Sequence, residues 1–155
     1  YVPTPEQKVI FALQEEMVHH YERAKDELEK FECGNGHEHG VAAEESFRKA
    51  ISACQRIGGH EGKIDSYSSQ MLLQLTELLE MQGRMKEVKE SLQGIVQFYQ
   101  QEAQRTDGGK YMLDWRLAQR ASHKLAALER SDGNTAAAAA LEDQGNHWLD
   151  EFQKI

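Results

Sequence analysis

Hydrophobic residues along this chain recur at intervals of three and four rather than two, the period of a helix packed on one side. The clearest case is the stretch from Leu72 to Tyr99. Leu72, Leu75, Leu79 and Met81 keep helical spacing in its first half, and Met85, Val88, Leu92, Ile95 and Tyr99 do so in its second. Only Gln82-Gly83-Arg84 separates the two runs, which predicts an antiparallel helix pair with a tight turn. Each helix has one apolar stripe, and a pair cannot bury both stripes without neighbours.

The pattern continues on both sides. Thr4-Pro5-Glu6-Gln7 predicts a helix start, with Thr4 as the cap, Pro5 at the first helical position and Gln7 closing a capping box. Helix 1 then runs to about Glu32 along the stripe Ile10, Leu13, Met17, Tyr21, Ala24, Leu28 and Phe31, which must be covered. Cys33 to Gly40 holds three glycines and reads as a loop. Helix 2 is expected near Val41 to Arg56, with Ala43, Phe47, Ala50, Cys54 and Ile57 inward and Gly58-Gly59 as its stop. Helix 3 is expected from about Lys63, its first turns weakened by Ser66, Ser68 and Ser69, and helix 4 fades near Gln104. After a turn at Thr106-Asp107-Gly108-Gly109, helix 5 spans about Lys110 to Arg130 and buries Leu113 or Trp115 with Leu117, Ala121, Leu125 and Leu128. Ser131 to Asn134 turns the chain again, and helix 6 covers Thr135 to about Gln153. Its alanine run, Ala136 to Ala140, is expected to be a packing surface. The expected fold is all-α, with six helices in three stacked antiparallel hairpins at about 5–57, 63–104 and 110–153 of a single domain over 1–155.

Leu72, Leu75, Leu79, Gly83, Met85, Val88, Leu92 and Ile95 resemble the spaced positions of a tetratricopeptide repeat, in which a small residue near the turn lets two helices cross closely. Echoes of the second-helix pattern occur at Ala43, Phe47 and Ala50, and at Ala137 and Leu141. Equivalent positions Phe47, Leu92 and Leu141 lie 45 and 49 residues apart, longer than the usual period of about 34. Thr76 takes the next small-residue position, and no proline closes a repeat. That spacing is closer to kinesin-light-chain-like arrays and to the helical repeats of proteasome-lid and signalosome subunits. The resemblance implies a right-handed α-solenoid fragment that holds protein partners. Asparagines stand only at 35, 134 and 146, so the lysine-and-asparagine clamp of the chaperone-binding members is not expected.

Composition narrows the function classes. A net charge of −8 and a pI near 5.4 disfavour nucleic acid and anionic membranes as partners. No apolar run approaches the roughly 20 residues that cross a bilayer, and the first thirty residues are rich in Glu rather than signal-like. Two cysteines, Cys33 and Cys54, make no disulfide framework, which points to an intracellular, cytoplasmic setting. A chain that begins at Tyr1 is expected to be a fragment of something longer.

Candidate chemistry is sparse. Cys33, His37 and His39 carry zinc-binding side chains, with His19, His20 or His60 available as a fourth ligand, though an ordinary polar loop explains the same residues. Glu16-x-x-His19 is one half of a di-iron carboxylate motif, and no second half follows. His147 beside Trp148 is read as packing or surface. Ser66, Ser68, Ser69, Ser91, Ser122 and Ser131 have no nucleophile elbow around them, and no Walker-type loop occurs. No cofactor and no enzymatic activity are expected.

Charge segregation is more telling. Glu6 to Glu32 holds eight acidic and four basic residues, whereas Arg105 to Lys124 holds five basic and two acidic ones. Arg116, Arg120 and His123 share a face of helix 5. In tetratricopeptide-like stacks the first helix of each hairpin lines the groove, which would expose Gln70, Leu73, Glu77, Glu80 and Met81 of helix 3 beside that basic stripe. The expected function is a protein-interaction scaffold binding a peptide or helix through this groove. A plain solvated face accounts for the same charges. Two other readings are a regulatory sensor of a small ligand, peptide or metal, and a homo-oligomer joined through the apolar ends of helices 1 and 6.

Overall fold

The computed structural model describes residues 1–34, 36–105, 110 and 113–153. Asn35 and the turn expected at Thr106-Asp107-Gly108-Gly109 lie outside the described residues. Six helices follow one another: α1 Pro5–Glu32, α2 His37–Ile57, α3 Ser66–Met81, α4 Met85–Gln104, α5 Trp115–Ser131 and α6 Thr135–Phe152. The fold class is all-α, with no strand among the described residues. None of these helices is long and apolar enough to cross a membrane.

Two compact units divide the chain, Tyr1–Gln82 and Gly83–Ile155. Of the hairpins expected from sequence, α1–α2 belongs to the first and α5–α6 to the second, while the pair read over 63–104 contributes one helix to each.

In the first unit, α1 begins as its sequence predicts. Thr4 Oγ1 accepts from the Gln7 amide at 3.2 Å and the Gln7 side chain accepts from the Thr4 amide at 2.8 Å. Small residues let α1 and α2 approach, Ala24, Ala43 and Ala50 being fully buried; the larger Phe47 is also fully buried, and Tyr21 meets its ring edge-on at 6.4 Å. The expectation that the whole α1 stripe is covered needs correction. Leu13 and Ala24 are buried, but Ile10 is exposed and Met17, Tyr21, Leu28 and Phe31 are half-buried. Length explains part of this: 28 residues of α1 span about 42 Å and 21 residues of α2 about 31 Å, so the first turns of α1 overhang.

Helix α2 starts at His37, four residues before the expected Val41. Gly40 is therefore not a loop glycine. It is buried in the first turn, where a Cβ would lie 3.0 Å from the Phe31 ring and 2.9 Å from the Gln82 amide. Helix α3 starts at Ser66 rather than near Lys63, because Asp65 caps it: its carboxylate accepts from the Ser68 amide at 2.7 Å, and Ser68 Oγ accepts from the Asp65 amide at 3.1 Å. Of the serines expected to weaken this end, Ser68 and Ser69 are buried and bonded, Ser69 Oγ donating to the Ser66 carbonyl at 2.8 Å, and Ser66 is half-buried. Deeper in α3, Thr76 Oγ1 donates to the Leu72 carbonyl at 2.7 Å, which satisfies a fully buried hydroxyl.

The second unit is organised on an aromatic cluster. Trp115, with no exposed surface, lies 5.1 Å from the Tyr99 ring, 5.8 Å from Trp148 and 4.6 Å from Phe152, centroid to centroid. Its indole Nε1 donates to the Lys110 carbonyl at 2.6 Å. Helix α5 starts here rather than at Lys110, since Asp114 caps it by accepting from the Leu117 amide at 3.1 Å. Between Leu113 and Trp115, the tryptophan takes the core and Leu113 is half-buried. Gly145 of α6 lets the two final helices cross closely: a Cβ there would stand 3.2 Å from Ser122 Cβ and 3.4 Å from the backbone of Gln119. The alanine run corrects another expectation, because within Ala136 to Ala140 only Ala138 is buried.

Gly83 has φ +73°, and a Cβ built on it would meet nothing within 4 Å. Glycine is needed at this turn for its left-handed backbone.

Candidate interaction surfaces

The loop histidines do not converge. Cys33 is exposed at the C-terminal cap of α1, and His37 is exposed at the first position of α2. His39 Nδ1 instead pairs with Glu27 Oε2 at 2.5 Å across the α1–α2 hairpin. That hydrogen bond is the main reason the Glu27 carboxyl is held below its usual range. Among the described residues, no group of three His, Cys, Asp or Glu side chains is placed to hold a metal ion.

Burial separates the two cysteines chemically. Cys54 is buried, and desolvation with the nearby Asp65 carboxylate as a lesser cause pushes its thiol up to about 11, so it stays protonated and unreactive. His20 is shifted the other way. Burial lowers its pKa first and His19 adds to this, against the opposing pull of Glu16, whose carboxylate lies 3.9 Å from Nε2. Its Nδ1 is buried and finds no hydrogen-bond partner among the described residues. Because the folded chain disfavours the imidazolium, this group's stabilising contribution is present above 6.5 and falls as pH drops below it. An NMR titration is expected to place His20 below 6.5, and His20→Gln to flatten the stability profile between about pH 5 and 7.

The residues expected to line a groove fall in different units. In the first, Gln70 and Met81 are exposed and Glu77 and Glu80 are half-buried. Leu73 is a correction: it is 2% exposed, on the face of α3 that also buries Ser69 and Thr76, at i−4 and i+3. In the second unit, Arg116, Arg120 and His123 are exposed on α5. His123 Nε2 and the Gln119 amide both approach Asn146 Oδ1, at 3.0 and 2.9 Å, so this imidazole helps tie α5 to α6. On the other side of α5, Lys89 of α4 bridges Glu129 at 2.9 Å and Asp132 at 3.2 Å.

The surface that sequence reasoning missed lies wholly within the first unit. A groove of about 240 Å³ opens between α1 and α3. Met17, Val18, Tyr21 and Glu22 form one wall, Tyr67, Gln70 and Met71 the other, and the inert thiol of Cys54 lies between them. Tyr21 Oη donates to Gln74 Oε1 at 2.8 Å, fixing the α1 wall to α3. Two large apolar side chains on its rim remain in solvent, Val18 at 53% and Tyr67 at 76% exposure. Phe11 and Ile10, exposed at 44% and 38%, prolong the apolar surface along the overhanging turns of α1. The sequence signal was available: Phe11 and Val18 stand seven residues apart outside the inner stripe, which is two helical turns on the outer face.

Compared with protein-family models, curated proteins and solved structures, the chain matches none.

Proposed function

We propose that this chain is a non-enzymatic helical interaction module that holds a protein partner, in the manner of the tetratricopeptide-like class. The observation that carries the reading is the α1–α3 groove, where Val18 and Tyr67 stand in solvent on either side of an apolar floor. Scattered exposed hydrophobics need no explanation, but a groove with large apolar side chains on both rims is a recurrent way of receiving a peptide or helix. Two unpaired thiols, one exposed and one buried, fit an intracellular setting.

Immobilised protein presented to a cell lysate is expected to retain a partner that the Val18→Asp/Tyr67→Asp variant loses while keeping its far-UV circular dichroism. Both side chains are largely exposed, so the substitutions leave the core intact. Equal retention by the folded variant removes the groove from the reading. If wild type retains nothing beyond a bare-matrix control, the interaction reading itself fails.

A further inference from the structure

The nature of the partner can be taken further, on the footing that the groove is a protein-binding site. Phe11, Glu15, Val18 and Glu22 stand at i, i+4, i+7 and i+11 of α1, so they form a single line down one face. All four are exposed. Apolar and acidic side chains therefore alternate along this face of α1, and its lower half, Val18 and Glu22, lines the groove. The unit that carries this line is acidic: residues 1–82 hold fifteen acidic and eight basic residues, a net −7 of the chain's −8. Residues 83–155, with eleven acidic and ten basic residues, account for the remaining −1.

The chain also shows how a cation sits on this surface. Lys25 Nζ lies over the Tyr21 ring, 4.6 Å from its centroid, and 3.5 Å from Glu22 Oε1. An aromatic face beside a carboxylate is a favourable environment for an ammonium group. Two copies of this face would set Glu15 and Glu22 against like charges, which opposes self-pairing.

We infer that the α1–α3 groove receives a basic amphipathic helix of a partner protein, its apolar side chains entering between Val18 and Tyr67 and its lysines or arginines meeting Glu15 and Glu22. Helix-in-groove docking supplies the anchors at helical spacing, and the acidic rim sets orientation and rejects acidic partners.

The probe is a synthetic peptide of about eighteen residues, long enough to hold helix, with leucines on one face and flanking lysines. It is titrated into the whole chain by fluorescence anisotropy beside two controls, a scrambled peptide of the same composition and one with glutamates in place of the lysines. Saturable one-to-one binding is expected, with both controls weaker by about tenfold or more. Val18→Asp and Glu15→Lys/Glu22→Lys are each expected to weaken it by about tenfold. Equal binding of the scrambled peptide, or unchanged binding by either variant, overturns the inference. So does light scattering that finds a dimer made monomeric by Val18→Asp, which would give the face to a second copy. A lysate partner lost in the groove variant without any binding of the lysine peptide leaves the protein-binding reading standing and removes this one.

Discussion

Trp115→Ala is expected to destabilise the second unit by about 3–5 kcal/mol, the largest effect of any single truncation in the chain. The indole is wholly buried and lies against Tyr99, Trp148 and Phe152, which come from α4 and α6. Alanine leaves a cavity among three rings held by two other helices, so collapse into it is costly. The Lys110 carbonyl also loses its indole donor. Trp115→Phe keeps most of the ring and loses that bond, and its cost is expected to be about 1–2 kcal/mol. Urea titration followed by far-UV circular dichroism measures both. If alanine costs less than phenylalanine, the cluster is not what holds α5 in place.

Gly145→Leu is the second large effect. Leucine gains roughly 1 kcal/mol over glycine in a helix interior, and most surface positions would reward the change. Here the side chain would be driven into Ser122, His123 and the backbone of Gln119, which stand within 3.4 Å of the first added carbon. Overpacking of this kind typically costs about 1–3 kcal/mol, and several carbons beyond Cβ place leucine at the upper end. The sign is therefore reversed, with a net loss of about 2 kcal/mol. Gly145→Ala needs its neighbours to yield by only a few tenths of an ångström, so gain and clash are expected nearly to cancel. Thermal unfolding of the two variants beside wild type tests the contrast: a leucine variant as stable as the alanine one would mean that α5 and α6 can move apart freely.

The helices were legible because spacing by three and four survives wherever one side is buried, as at Val88, Leu92, Ile95 and Tyr99. Ends were less so, for two different reasons. At α2, Gly40 looks like loop chemistry but is required by the Phe31 ring, and a sequence does not tell a packing glycine from a breaking one. At α3 and α5 the starts moved to Asp65 and Asp114, since a carboxylate that caps in place decides the first turn whatever the propensity before it. A register borrowed from a repeat pattern puts Leu73 on a surface, whereas burial follows the local surroundings of the helix. The α1–α3 groove was hidden for the opposite reason. Val18 and Tyr67 are far apart along the chain, and only folding shows that they flank one depression. What could be read was the exposure of Phe11 and Val18 on the back of an otherwise complete stripe.

Both tryptophans, Trp115 and Trp148, sit in the aromatic cluster of the second unit, and the first unit contains none. Indole emission is thus a reporter confined to Gly83–Ile155, while the amide signal sums over every helix. Laid over one another, the two unfolding curves become a measure of cooperativity: coincidence means that both halves melt as one, and separation reads the stability of the optically silent half by difference.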